Sequence, residues 1–163
     1  MEQSVYIKAV DTHANTLYRI ARTYCRHHAD AEDVVQTAFM KLYETDTEFQ
    51  DDEHMKKWLI RVTANEAKNL CSSFWQKNVV PLDASGTDQP YDFPCPENSD
   101  LYDAVMKLPN KYKMVIHLYY YEEYSVKEIA EILQRKETTI QTQLMRARRQ
   151  LKIKLKEAWQ DEQ

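Results

Sequence analysis

A dense run of basic side chains near the carboxyl end is the feature that points most directly to a binding function. Between Arg135 and Lys156 there are eight basic residues and one acidic residue, Glu137. Guanidinium and ammonium groups at this density suit phosphate oxygens, to which they donate charge-assisted hydrogen bonds. Most basic runs are only the solvated faces of surface helices. The run therefore predicts nucleic-acid binding only if it lies on an element that can enter a groove.

The other reactive residue types do not assemble into a catalytic or metal-binding pattern. Cys25, His27 and His28 lie close together in the sequence. Adjacent side chains on a helix point about 100° apart, so the two histidines do not easily share a metal. The run Tyr119–Tyr121 with Tyr124 could stack bases, but core packing with one exposed ring is the favoured interpretation. We expect neither an enzyme nor a bound cofactor.

Composition restricts the fold class before any element is placed. The 163 residues include one Gly, and the formal net charge is −4. Because glycine is the default residue of tight turns and phosphate loops, this argues against all-β folds and against a glycine-rich phosphate loop. Mean hydropathy is −0.72, and no apolar run approaches the roughly 18–20 residues that span a bilayer. With three widely spaced cysteines and a polar start, we expect a mostly helical cytoplasmic protein without direct membrane insertion.

Charge and proline content divide the chain into three parts. Residues 1–78 have a net charge of −2, residues 79–103 carry six acidic and no basic side chains, and residues 104–163 have a net charge of +4. Four of the five prolines lie between Pro81 and Pro96, where they exclude a helix interior. A surface loop within one domain is the alternative. We predict an all-α protein of two small helical modules, residues 1–78 and 100–163, joined by a flexible acidic linker of residues 79–99.

Periodic apolar residues predict three helices in the first module. The first begins near Val5 and ends near Arg26–His28, the second has its N-cap at Asp30, and the third continues to about Trp75. The second helix is predicted to bury one stripe of side chains against the others. That stripe consists of Val34, Val35, Ala38, Phe39, Leu42 and Tyr43.

The second module has the pattern of a helix-turn-helix. After a short helix ending at Leu108-Pro109, Asn110 is predicted to cap the next helix. Ser125 and Glu128 then have the spacing of a capping box. The last helix opens at Thr138 and carries most of the basic run. A basic second helix of a helix-turn-helix favours DNA binding over a merely solvated surface.

With these elements in place, the sequence resembles a known family. The segment from Leu17 to Tyr43, which contains DAEDVVQTAFMKLY, and the segment WLIRVTANEAKN from Trp58 to Asn69 look like region 2 of group IV sigma factors. These are the extracytoplasmic-function (ECF) members of the sigma-70 family. The segment from Val126 to Leu151 is similar to their region 4. The two regions follow in the family's order, with its linker between them.

The resemblance implies a dissociable subunit of RNA polymerase. Region 2 would bind core RNA polymerase and read the −10 promoter element, region 4 would read the −35 element of promoter DNA, and an anti-sigma factor is an expected partner. The implied polymerase-binding residues are Asp33, Gln36, Phe39 and Lys41. The implied −10 contacts are Lys56, Lys57, Arg61, Asn65 and Lys68. Spacing and resemblance together give the −35 contacts as Thr138, Thr139, Gln141, Thr142, Arg146 and Arg149.

The sequence departs from the family pattern at several positions. Gln134 replaces the glycine usual in the region 4 turn, and Gln143 replaces a commonly basic, phosphate-contacting residue.

Two alternatives to a sigma factor stay open. One is a helix-turn-helix regulator that does not associate with polymerase, and the other is a helical interaction module whose basic tail binds an acidic protein. The pairing of two modules favours the sigma factor.

Overall fold

The computed structural model describes residues 1–77 and 100–161, which form helices and contain no β-strand. In chain order the helices are α1 (Gln3–Arg22), α2 (His28–Glu44), α3 (Asp52–Lys77), α4 (Asp100–Met106), α5 (Asn110–Ile116), α6 (Val126–Leu133) and α7 (Glu137–Asp161), and α5 continues as a π-helical turn over His117–Tyr121.

The chain divides into two compact units, which we call unit 1 (α1–α3) and unit 2 (α4–α7). The all-α class and the two helical modules are thereby confirmed. The predicted linker, residues 79–99, lies outside the described residues, and the module boundaries at 78 and 100 stay predictions.

In unit 1 the three helices pack against one another in all three pairs. Leu17, Ile20, Leu42, Leu59 and Ile60 are fully buried where the helices meet. Each such side chain stabilises the fold by about 1.5–3 kcal/mol relative to an exposed one. Four of these residues come from the predicted apolar stripes, and Ile60 is an addition that the periodicity of the third helix did not identify.

The connection between α1 and α2 differs from the prediction. Helix α1 ends at Arg22 rather than near residues 26–28, because the Thr23 hydroxyl donates to the Ile20 carbonyl at 2.7 Å and the Arg22 guanidinium donates to the Arg26 carbonyl at 2.7 Å. Helix α2 begins at His28, with His27 as its N-cap, so the prediction of Asp30 as N-cap was wrong. Asp30 lies in the first turn of α2, where its charge complements the helix dipole.

Two residues of the predicted stripes lie on the surface instead. Val5 is 42% exposed and Tyr43 is 63% exposed. Tyr43 lies one residue before the end of α2, and its ring packs edge-on against Tyr6 of α1 with centroids 5.4 Å apart. Ends of amphipathic helices commonly extend past the core, which periodicity does not reveal.

In unit 2, α7 packs against α4, α5 and α6. Leu118, Ile129, Ile132, Ile140 and Leu144 form the buried centre of the unit. The N-cap of α5 is Pro109 rather than the predicted Asn110, which is the first helical residue. Among residues 1–77 and 100–161, no helix is long and apolar enough to cross a membrane.

Candidate nucleic-acid interface

The turn between α6 and α7 determines the orientation of α7 relative to α6. At the start of α6 the predicted capping box is confirmed: the Glu128 N–H donates to Ser125 Oγ at 3.1 Å, and the Ser125 N–H donates to Glu128 Oε1 at 3.4 Å. At its end Gln134 adopts the left-handed conformation, φ 53 and ψ 52, and the Arg135 N–H donates to the Ala130 carbonyl at 3.0 Å. This is a Schellman motif formed without glycine.

Helix α7 presents an exposed surface, mostly polar, opposite its buried side. Ile140, Leu144 and Ala147 face the core of unit 2. On the other side lie four exposed residues that fall within about 80° of one another at 100° per residue. We call this set the α7 arc: Thr138, Gln141, Met145 and Arg149.

The predicted −35 residues are not equally available on this surface. Arg146 is exposed at one edge of the α7 arc, whereas Thr139 and Thr142 are half-buried. The Thr142 hydroxyl donates to the Thr138 carbonyl at 2.9 Å, so its proton is used within the helix. Gln143 is 8% exposed and faces the core, which removes it from any phosphate contact.

Sequence analysis missed two features of α7. Met145 is 51% exposed in the middle of the α7 arc, four residues after Gln141 and four before Arg149, so helical spacing alone could have identified it. Arg148 lies over the rings of Tyr119 and Tyr120 and donates to Tyr120 Oη at 2.7 Å. The two hydrogen-bonded residues are 28 positions apart, and no sequence pattern signals their contact.

In unit 1, four of the five predicted −10 residues share one side of α3. Lys57, Arg61, Asn65 and Lys68 fall within about 80° and form the α3 arc. Asn65 and Lys68 are exposed, and the other two are half-buried. Lys56 lies about 100–180° from these four, on the side of α3 that carries the buried Ile60 and Ala67. The structure therefore does not bring Lys56 together with the rest.

The start of α3 is fixed by side chains of the preceding loop. Asp51 is its N-cap, since Asp51 Oδ1 accepts from the His54 N–H at 2.7 Å, and the Gln50 N–H donates to His54 Nδ1 at 3.1 Å. His13 of α1, which is 3% exposed, is hydrogen-bonded through Nε2 to Asp52 Oδ1 at 3.1 Å. The bond between His13 and Asp52 attaches the amino end of α3 to α1 and so helps to hold the α3 arc in one position within unit 1.

The predicted polymerase-binding residues of α2 separate into three kinds. Asp33 and Gln36 are exposed and share one side of the helix with Met40, which is 59% exposed; we call these three the α2 arc. Lys41 is exposed but forms an ion pair with Glu66 of α3. Phe39 is 6% exposed and packs in the core.

Phe39 belongs to the buried stripe predicted for α2, and the structure does not place it on the exposed side with Asp33 and Gln36. Its position on α2 turns the ring towards the apolar stripe that α2 buries, where a partner cannot reach it. Met40, the next residue, lies four positions after Gln36 and occupies the exposed side. No group of three His, Cys, Asp or Glu side chains within residues 1–77 and 100–161 could hold a metal ion.

The sequence of each unit matches a known protein family. The family described as Sigma-70 region 2 matches residues 9–76, and the family described as Sigma-70, region 4 matches residues 99–151. The first match contains the α2 and α3 arcs, and the second contains the α7 arc.

The chain is also similar along most of its length to curated bacterial proteins. It is 26% identical over 160 residues to the RNA polymerase sigma factor SigV of Bacillus subtilis, covering 94% of this chain and 92% of that protein. It is 31% identical over 154 residues to the ECF RNA polymerase sigma factor SigL of Mycobacterium tuberculosis, covering 90% of this chain and 86% of that protein.

Among solved structures, chains of two protein complexes share the fold. The sigma factor RpoE bound to the anti-sigma factor NepR from Bartonella quintana has a TM-score of 0.71 at 22% identity, covering 93% of this chain and 96% of that chain. CnrH bound to the cytosolic domain of CnrY has a TM-score of 0.66 at 21% identity, covering 95% of this chain and 90% of that chain. At these identities the similarity is one of fold.

Proposed function

This chain belongs to the ECF RNA polymerase sigma factors, and from that premise we propose how its exposed residues divide the work of transcription initiation. The protein is a dissociable subunit that binds core RNA polymerase in the cytoplasm and directs it to promoters. One observation carries the proposal: a single chain contains a region 2 unit and a region 4 unit. Each unit also exposes polar side chains on a helix, and these side chains are not part of the core of that unit.

The α7 arc reads the −35 element. Thr138 and Gln141 lie near the amino end of the helix, where their short polar groups reach base edges in a major groove. Met145 supplies an apolar side chain that can contact the methyl group of a thymine in the major groove. Arg146 and Arg149, further along the helix, bind backbone phosphates.

The α3 arc binds the −10 element as melted single strand. Asn65 is its base-contacting residue, since one planar amide offers both a donor and an acceptor and the side chain is exposed. Lys57, Arg61 and Lys68 surround it with positive charge for the strand's phosphates. Lys56 has no part in this set because of its position on the helix.

The α2 arc binds core polymerase. Asp33 and Gln36 contribute polar contacts around the exposed Met40, a combination of apolar centre and polar rim that is typical of protein interfaces. Lys41 lies beside this surface and is oriented by Glu66. An anti-sigma factor is a further partner, since the similar RpoE structure is a sigma factor in complex with an anti-sigma factor.

Reconstituted transcription tests the proposal. Core polymerase is supplied with genomic DNA in the presence or absence of the full chain, and the transcript start sites are mapped. We expect new start sites that share a −35 and a −10 motif, together with co-elution of the chain and core polymerase. Duplex binding without co-elution would instead support a regulator independent of polymerase. Absence of both would favour an interaction module that binds an acidic protein.

A further inference from the structure

Unit 2 carries an exposed cluster, Tyr119, Tyr120 and Arg148, that the proposed function does not use. Arg148 Nε donates to Tyr120 Oη at 2.7 Å. The guanidinium carbon lies 5.3 Å from the centre of the Tyr119 ring and 5.6 Å from that of Tyr120, and the two rings meet edge to face at 4.9 Å. We call this the tyrosine–arginine corner.

The π-helical turn after α5 brings the two rings to the surface beside α7. Within this turn His117 and Leu118 are fully buried, whereas Tyr120 is 53% exposed. Glu122, the next acidic residue in the chain, is directed inward, with Oε1 3.5 Å from His117 Nε2. Its carboxylate therefore does not neutralise Arg148. Turns of this type are frequent at functional sites.

The hydrogen-bond donors of the corner are only partly used. Arg148 contributes one N–H to Tyr120, which leaves four guanidinium N–H groups. Because Tyr120 Oη accepts this bond, its own proton is available to donate outward. Among the described residues, no carboxylate forms an ion pair with Arg148. The corner thus offers an anion a positive charge and two kinds of donor side by side.

The position of Arg148 on α7 indicates which class of anion the corner would bind. Arg146 and Arg148 lie about 160° apart around the helix, at the two edges of the α7 arc. When a helix enters the major groove, the centre of its exposed face meets base edges and its two edges meet the phosphate backbones on either side of the groove. Arg146 would face one backbone, and the corner would face the other.

We propose that Tyr120 and Arg148 form a phosphodiester-binding site that extends the DNA contact of α7, with Tyr119 and Tyr120 holding the guanidinium in position before DNA arrives. The site rests on the proposed function of α7. Arg148 is held by a hydrogen bond and two rings, whereas Arg146 and Arg149 have no such support among the described residues. A guanidinium group that is already held in position loses less rotamer freedom on binding than one on a mobile side chain.

Binding of the full chain to a short duplex of mixed sequence tests the site, since phosphate contacts do not depend on sequence. Affinity is measured by fluorescence anisotropy between about 50 and 200 mM salt. Arg148→Ala removes one phosphate contact, and we expect the slope of log K against log salt to fall by about 0.9. Tyr120→Phe removes a neutral donor and acceptor, so we expect about 3- to 10-fold weaker binding with the slope unchanged.

Matched variants separate this site from the rest of the protein. Tyr43→Phe removes the hydroxyl of another exposed tyrosine, in unit 1, and we expect no change in affinity. Arg148→Lys keeps the charge but loses the planar fork, so we expect a loss similar to that of Tyr120→Phe with an unchanged slope. Circular dichroism of each variant checks that the helices are intact.

Each contrary result has a distinct meaning. If Arg149→Ala lowers affinity while Tyr120→Phe and Arg148→Ala do not, the corner is not a DNA site and the assignment of the α7 arc stands. If the wild-type chain binds no duplex at the lowest salt, the assignment of α7 fails and the corner fails with it. If Tyr120→Phe and Arg148→Ala weaken binding to core polymerase but not to the duplex, the corner is a protein-docking surface and the proposal is overturned.

Discussion

Unit 1 and unit 2 position their exposed binding residues by different means. In unit 2 the α7 arc lies on one helix, and the contacts that orient this helix are local in sequence: a capping box of four residues, 125–128, and a Schellman turn. In unit 1 the binding residues lie on two helices, and distant pairs connect the elements. His13 and Asp52 are 39 positions apart, and Lys41 and Glu66 are 25 apart.

This difference makes the two surfaces sensitive to different changes. A surface on one helix keeps its spacing as long as the helix is folded, because the rise and rotation per residue fix it. A surface spread over two helices also requires the helices to keep their relative position, which side-chain pairs such as Lys41–Glu66 help to maintain. We expect substitutions in unit 1 to affect binding through geometry as well as through direct contact.

The largest effect is expected from charge reversal on the α2 arc. Asp33→Arg places a cation at the proposed polymerase surface, and we expect core polymerase affinity to fall about 100-fold, since repulsion at an interface costs several kcal/mol. Asp11→Arg makes the same charge change at an exposed position of α1 and serves as the control. Affinity is measured by competition for core polymerase. A folded Asp33→Arg variant with wild-type affinity would remove the α2 arc from the interface.

The next largest effect concerns the α3 arc. Asn65→Ala removes both hydrogen-bonding groups from the proposed base contact, and we expect discrimination at one −10 position to fall by about 1–3 kcal/mol, with polymerase affinity retained. Transcription from a set of promoters substituted at each −10 position measures this preference. Asn15→Ala, at an exposed position of α1, is the matched control. If the Asn65 variant keeps the full preference, another residue reads the base.

Much of the fold was predictable from sequence because helical periodicity reports which side chains are buried. The core residues Leu17, Leu42 and Ile140 belong to predicted stripes, and the capping box at Ser125 is signalled by the spacing of two residues in the same short segment. Helix ends were less predictable. The end of α1 depends on a bond from Arg22 to the Arg26 carbonyl, a contact of a long flexible side chain that propensities do not encode.

The candidate site was predictable in part, for a related reason. Periodicity placed Phe39 in the buried stripe of α2, whereas the family resemblance placed it among the polymerase contacts, and the structure agrees with the periodicity. Lys56 was grouped with the α3 arc on charge alone, without its angle around the helix. The contact of Arg148 with Tyr120 is tertiary and depends on the packing of α7 beside the π-helical turn, which no local pattern contains.

A smaller effect is expected on the α7 arc. Arg149→Ala removes one phosphate contact of region 4, so we expect weaker duplex binding for every sequence and a salt slope lower by about 0.9. Lys107→Ala removes a positive charge from an exposed position outside α7 and is the control. Titrations at several salt concentrations, on duplexes with and without the −35 motif, give both quantities. A loss confined to duplexes with the motif would make Arg149 a base-reading residue instead.

The smallest effect concerns the backbone and sharpens the comparison between the units. Among the described residues, positive φ occurs at Glu123 and Gln134, both in unit 2. A left-handed residue with a β-carbon costs about 1–2 kcal/mol, and glycine avoids this cost while losing about 0.5–1 kcal/mol of chain entropy on folding. We therefore expect Gln134→Gly to stabilise unit 2 by about 0.5–1 kcal/mol.

Gln134→Ala is the informative control, because it shortens the exposed side chain but keeps the β-carbon, and we expect no gain in stability from it. Urea unfolding of the full chain, with hydrogen exchange followed in α6 and α7, measures the difference between the two variants. Since the Schellman turn is already formed by glutamine, we expect Gln134→Gly to leave duplex affinity unchanged. An equal gain from alanine and glycine would mean that the glutamine side chain, rather than the left-handed backbone, is what limits the stability of this turn.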